Sequence, residues 1–172
     1  MKNKPLFYLF LSFFAFSLAS CSSDDDNGPV DVSILGKWNM TQMTMEGDFS
    51  DEGISVTFDG VANSLPGNDI TFHADNTVTS NSAPFNMQFT YLIDGVPFEI
   101  TQPISSELTS DGTWRQEGNN LFFKETGSVD EQQYTIVTLN GSTLKLSADQ
   151  DNIDMGSDFP NGRFLITITM SR

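Results

Sequence analysis

The sequence predicts an all-β protein, an antiparallel up-and-down meander, on three observations. Apolar residues recur with period two through most of the chain, Asx-Gly dipeptides separate successive runs, and no comparable stretch shows helical spacing. Such a meander closes into a barrel or stacks as a sandwich, and strand count does not choose between them.

Strands are expected near 34–45, 54–59, 69–74, 77–81, 85–93, 96–101, 112–116, 121–125, 132–139, 143–147 and 163–170. In "ISVTFD", Ile54, Val56 and Phe58 alternate with Ser55, Thr57 and Asp59. In "PFNMQFTYLI", Phe85, Met87, Phe89, Tyr91 and Ile93 take one face. In "RFLITITM", Phe164, Ile166, Ile168 and Met170 oppose Arg163, Leu165, Thr167 and Thr169. Asp94-Gly95 and Asn140-Gly141 suit tight two-residue hairpins, because both residue types tolerate positive φ, and Gly118 sits in a longer loop. Met40, Met43 and Met45 fall on both faces of the first strand, so they share one environment only if a bulge intervenes.

Two segments of different character precede this region. Lys2 and Lys4 introduce "PLFYLFLSFFAFSLA", an apolar run short of the roughly 20 residues a spanning helix needs. The layout is that of a secretory leader over residues 1–20. Leu18-Ala19-Ser20-Cys21 resembles the lipobox of bacterial lipoproteins. That resemblance implies that Cys21 becomes the first residue after cleavage and carries acyl chains, each buried methylene contributing about 0.8 kcal/mol to a membrane anchor. Cys21 is the sole cysteine, so no intramolecular disulfide competes for it.

Residues 21–33 read as an acidic flexible tether, too polar and too broken by Gly28 and Pro29 to order itself. Ser22, Ser23, Asp24, Asp25 and Asp26 stand directly behind the lipobox and resemble the surface-export signal of Bacteroidota lipoproteins. The implied location is the outer membrane of the cell envelope, facing outward. The formal charge of −15 becomes −17 once Lys2 and Lys4 leave with the leader. So acidic a chain lacks the clustered Lys and Arg that phosphates require, which argues against nucleic acid as a partner. It suits cations or a basic protein partner instead, besides the membrane reached through acylated Cys21.

Residues 34–172 have the length of one domain. Within them "ILGKWNMTQ", with Gly36 and Trp38 opening the first strand, resembles the G-x-W signature of lipocalins and of bacterial lipocalin-like proteins. "ITFHADNTVT" resembles a strand–turn–strand common in those bacterial relatives, with Asn76 where glycine is usual, and "GTWRQEGNNLFF" resembles their later Trp-bearing hairpin. The resemblance implies a lipocalin-like barrel of about 8–10 strands over residues 34–172. It also implies that Trp38 plugs one end under an arginine from beyond the last strand, for which Arg172 is the positional match. The helix lipocalins usually carry before their final segment has no counterpart, since "SADQDNIDMGSDFPNG" is acidic and turn-rich.

If the barrel is hollow, the inward ligand-binding candidates are Trp38, Met40, Phe58, Phe72, Phe89, Tyr91, Phe98 and Tyr134, with Phe122 or Phe123. The same side chains would equally fill a solid core, as small barrels often do. No catalytic constellation stands out. His73 is the sole histidine and alternates outward in "ITFHAD", and there is no nucleophile elbow, phosphate loop or zinc spacing. Neither an enzyme nor a cofactor is expected. Asp149, Asp151, Asp154 and Asp158 offer oxygens of the kind calcium takes, but without EF-hand spacing they read as a solvated loop. The expected function is that of a lipid-anchored, non-catalytic envelope lipoprotein binding a small hydrophobic or amphipathic ligand. The alternative is a structural or protein-interaction module with a solid core and acidic binding loops.

Overall fold

The alternation that opens the domain builds one long strand on which the rest is hung. The computed structural model describes residues 32–51, 54–105, 110–153 and 162–172. The leader, Cys21 to Asp26, Asp154 and Asp158 lie outside the described residues. Within them the strands are β1 (Gly36–Asp51), β2 (Ile54–Ala62), β3 (Asp69–Phe72), β4 (Thr77–Asn81), β5 (Phe85–Ile93), β6 (Val96–Ile104), β7 (Gly112–Glu117), β8 (Asn120–Glu125), β9 (Gln132–Leu139), β10 (Thr143–Ile153) and β11 (Gly162–Ser171). Each expected strand is present, and the ladders between them are antiparallel.

One edge of β1 pairs with β11 from Asn39 to Asp48. The other edge forks: Gly36–Asn39 pair with β3, and Met43–Asp51 pair with β2. Through β3 the sheet runs on to β4, β7, β8, β9, β10 and β11 and returns to β1, a closed antiparallel ring of eight strands. Through β2 it runs to β5 and β6, a three-stranded wing. Among the described residues β6 pairs only with β5. Pro97 and Pro103 remove two backbone donors from β6, which discourages further strands from adding there.

A bulge between Met40 and Gln42 resolves the methionine pattern. The extra residue shifts the alternation by one, so Met40 and Met43 are both buried and Met45 packs against the same core. Asp94 (φ 49°) and Gly95 (φ 81°) form the expected two-residue turn, both residues left-handed. The Asn140-Gly141 turn is one residue longer than expected. Asn140 Oδ1 accepts the N–H groups of Ser142 (3.0 Å) and Thr143 (2.8 Å), so the side chain closes the loop and Gly141 needs no positive φ.

Several strand limits also differ from expectation: β1 runs on to Asp51, β2 to Ala62 and β6 to Ile104. β3 stops at Phe72, because the Asn76 N–H returns to the His73 carbonyl (3.1 Å) and Asp75 takes the Thr77 N–H (3.0 Å) in a turn. β10 continues to Ile153, so the first part of the acidic stretch is strand rather than loop, held by its ladder with β11.

The core is continuous from ring to wing. Gly47 of β1 lets the Phe58 ring of β2 lie over the backbone, where a Cβ would come within 2.5 Å of ring carbons. Phe58 then sits 5.3 Å from Phe164 of β11, 6.1 Å from Phe89 and 5.9 Å from Tyr91 of β5, measured between ring centroids. These are tilted and edge-on contacts of the kind aromatic quadrupoles favour, and they bind the wing to the ring.

Candidate functional site

The first motif closes one end of the ring. Gly36 takes φ 106°, a conformation L side chains rarely adopt, and so turns the chain from Leu35 into β1. Two residues on, Trp38 is fully buried and its indole N–H donates to the Ile34 carbonyl at 2.7 Å. The Arg172 guanidinium lies 4.3 Å from the indole centre. It donates to the carbonyls of Leu35 (2.8 Å), Gly141 (3.0 Å) and Ser33 (3.4 Å). One cation thus ties the entry to β1, the β9–β10 turn and the end of β11 together.

The second and third motifs brace the adjoining wall. Asn76 is left-handed at φ 64°, the conformation for which glycine is usual and which asparagine tolerates. Its carbonyl accepts the Trp114 N–H (2.9 Å), and the Trp114 indole N–H donates to the His73 carbonyl (3.2 Å). The Trp114 ring meets Phe72 edge-on at 5.4 Å. His73, half-buried just past β3, places Nε2 3.1 Å from the Thr79 hydroxyl.

Beyond the Trp38 plug the ring encloses a cavity of about 330 Å3, at the small end of the range for ligand pockets. Met40, Ile70 and Phe72 of β1 and β3 line one side. Leu121 and Phe123 of β8, Leu146 of β10, and Ile168 and Met170 of β11 line the rest, and all eight are buried. The polar lining gathers at the β8–β9 connection, where Glu125, Ser128, Asp130 and Gln132 join Ser110 and Tyr134. The Tyr134 hydroxyl donates to Gln132 Oε1 at 3.1 Å. Burial pushes its phenol above the ordinary range, so it stays neutral.

Of the expected ligand-facing residues, Met40, Phe72 and Tyr134 line this cavity, and of the pair Phe122 or Phe123 it is Phe123 that does so. Trp38 lies in the plug. Phe58, Phe89 and Tyr91 belong to the wing's aromatic cluster instead, and Phe98 is 57% exposed. Phe98 opposes Tyr91 in the ladder and shares its face, but β6 is the outer strand of the wing and leaves it exposed. Alternation identifies a face; it does not say whether that face lines ring or wing. Phe122 points outward beneath Arg115, whose guanidinium sits 3.7 Å above its ring and pairs with Glu117 and Glu131.

Ile70, Leu121, Leu146, Ile168 and Met170 were not singled out from sequence, although the last two lay on the apolar face of "RFLITITM". Glu125, Asp130 and Gln132 carried no signal, since strand ends and loops have no periodicity to read.

The aspartates considered for calcium do not assemble into a described site. Arg163 grips Asp149 through two hydrogen bonds (3.0 and 2.5 Å), and those bonds hold the Asp149 carboxyl below its usual range. Asp151 opposes Arg163 in the β10–β11 ladder, and the other two lie outside the described residues. Among the described residues no three His, Cys, Asp or Glu side chains cluster as a metal site.

Comparison with known families adds one finding. The family model described as the lipocalin-like domain matches residues 34–146, well over half of the sequence. Neither a curated protein nor a solved structure matches the chain. The matched span runs from the Trp38 plug through β9 into β10, taking in all three motifs and most of the ring, and the chain belongs to the lipocalin-like domain family.

Proposed function

We propose that the barrel binds a small hydrophobic or amphipathic molecule without transforming it. We propose further that it does so as a lipid-anchored protein of the bacterial outer membrane, exposed at the cell surface. The observation that carries the binding function is the 330 Å3 cavity inside the ring, walled by eight buried apolar side chains from β1, β3, β8, β10 and β11. The anchor is supported by the lipobox-like Leu18–Cys21 and the aspartates behind it.

Nile red, a neutral probe that brightens in apolar surroundings, tests the cavity. Saturable binding at one site is expected, with Ile168→Phe weakening it about tenfold by occupying the space. Absence of saturable binding rejects the ligand function. The intact mass of protein extracted from its own membrane tests the anchor: an unmodified Cys21 in the membrane-bound protein rejects it.

One feature favours a second role. Ile93, Val96 and Phe98 are exposed on the same wing face as Tyr91, at the tip of the β5–β6 hairpin. Exposed apolar patches mark contact sites, so a protein-interaction function would run through this hairpin rather than through acidic loops. An Ile93→Ser, Val96→Ser variant with unchanged Nile red binding but lost partner capture would separate the two roles.

A further inference from the structure

We infer that the cavity selects amphiphiles with a cationic head, alkylammonium-type amines, over neutral and anionic molecules of the same length. This rests on the cavity being a ligand site and adds the chemistry of the ligand's head.

The lining divides an apolar wall from a polar mouth, and the charges at the mouth have one sign. Among the described residues, Glu125 and Asp130 are the formally charged ones on the lining, and no Lys or Arg stands there. The cations of the described chain are committed elsewhere: Lys37 to Asp69, Arg115 to Glu117 and Glu131, Arg163 to Asp149, and Arg172 to Trp38. Lys124 stands between Phe123 and Glu125 on β8, so alternation turns it to the opposite face. Lys145 is placed likewise between the inward Leu144 and Leu146. No ion pair to Glu125 or Asp130 forms among the described residues.

A ligand whose chain fills the pocket of Leu121, Phe123 and Ile168 therefore brings its head to two unpaired carboxylates. An ammonium there gains Coulomb attraction from both, strengthened by the apolar wall behind it. It also stands near the neutral Tyr134 ring, which attracts cations through its quadrupole. A carboxylate head would meet like charge and no compensating donor cation. The overall charge of −15 acts in the same direction, raising the local concentration of cations.

Displacement of Nile red from the purified protein by n-octylammonium, 1-octanol and octanoate tests the inference. Octylammonium should bind about tenfold more tightly than octanoate at low salt, the product of two partly exposed ion pairs. The double variant E125Q/D130N should reduce that ratio to about threefold or less; both residues are exposed, so the fold should tolerate the change. Octanol or octanoate binding as tightly as octylammonium overturns the selectivity and leaves the cavity as a general apolar site. An undiminished preference in the double variant also overturns it, because selection would then come from the acidic surface at large. If Nile red binds but none of the three displaces it, the inference falls and the ligand function stands; if Nile red itself does not bind saturably, both fall.

Discussion

The Arg172 guanidinium covers the Trp38 indole at 4.3 Å while donating to the Leu35 carbonyl at 2.8 Å, so one side chain holds both the plug and the strand entry beside it. Its planar fork matters as much as its charge. A lysine would keep the charge over the ring but could not reach the carbonyls of Ser33, Leu35 and Gly141 together.

Arg172→Ala should therefore destabilise the protein by about 2–3 kcal/mol, from one cation–π contact and several charged hydrogen bonds. Arg172→Lys should recover less than half of that. Urea unfolding monitored by Trp fluorescence measures both; a lysine variant as stable as the parent would show that charge alone suffices.

The contact between Gly47 and Phe58 is a second point of stress. Gly47→Ala places a methyl where the Phe58 ring lies, and should cost about 1–3 kcal/mol as the ring is displaced from its aromatic neighbours. Phe58→Leu, though destabilising alone, should make Gly47→Ala milder. Additive effects in a double-mutant cycle would mean that the ring does not decide the choice of glycine.

Acid sensitivity should centre on Asp69, a nearly buried carboxylate 2.9 Å from Lys37 Nζ and 3.0 Å from Asn81 Nδ2. Burial acts to raise its pKa, but the hydrogen bonds from Lys37 and Asn81 and the Lys37 charge outweigh that and leave it below the ordinary value. A pKa lowered by folding stabilises the protein above the unfolded value of about 3.9 and ceases to do so as pH falls through the folded value. Unfolding midpoints should thus drop steeply below about pH 4, and Asp69→Asn should make that drop shallower. Asp75, Glu131 and Asp149 are lowered too and remain in the variant, so some slope persists. An unchanged slope would remove Asp69 from this role.

The strands were legible because alternation and turn chemistry are short-range. Asp94-Gly95 announces its turn within two residues, and Asn76 announces a left-handed position by being asparagine in a turn. The plug was legible through Gly36, Trp38 and Arg172, whose spacing along the chain resembles a known pattern. The Asn140 turn was misjudged by a residue, since nothing in the dipeptide shows whether the asparagine side chain will cap the loop. The ligand candidates on β2, β5 and β6 were misplaced for a different reason. Phe58, Phe89 and Tyr91 do face inward on their strands, yet those strands leave the ring at the fork in β1.

By itself the sequence determined that the protein is β throughout its described domain, where its strands fall and which side chains share a face, whereas the plug was implied only by a family resemblance. These depend on the two-residue repeat of the pleat and on φ preferences of single residues, both local. Only the tertiary structure decided that eight strands close while three branch away, that the ring keeps a cavity, and that Glu125 and Asp130 line it with no ion-pair partner among the described residues. Those outcomes depend on pairing across long separations, such as Asn39 with Ser171. Strand alternation is equally satisfied by several partners, and packing of the whole chain selects among them.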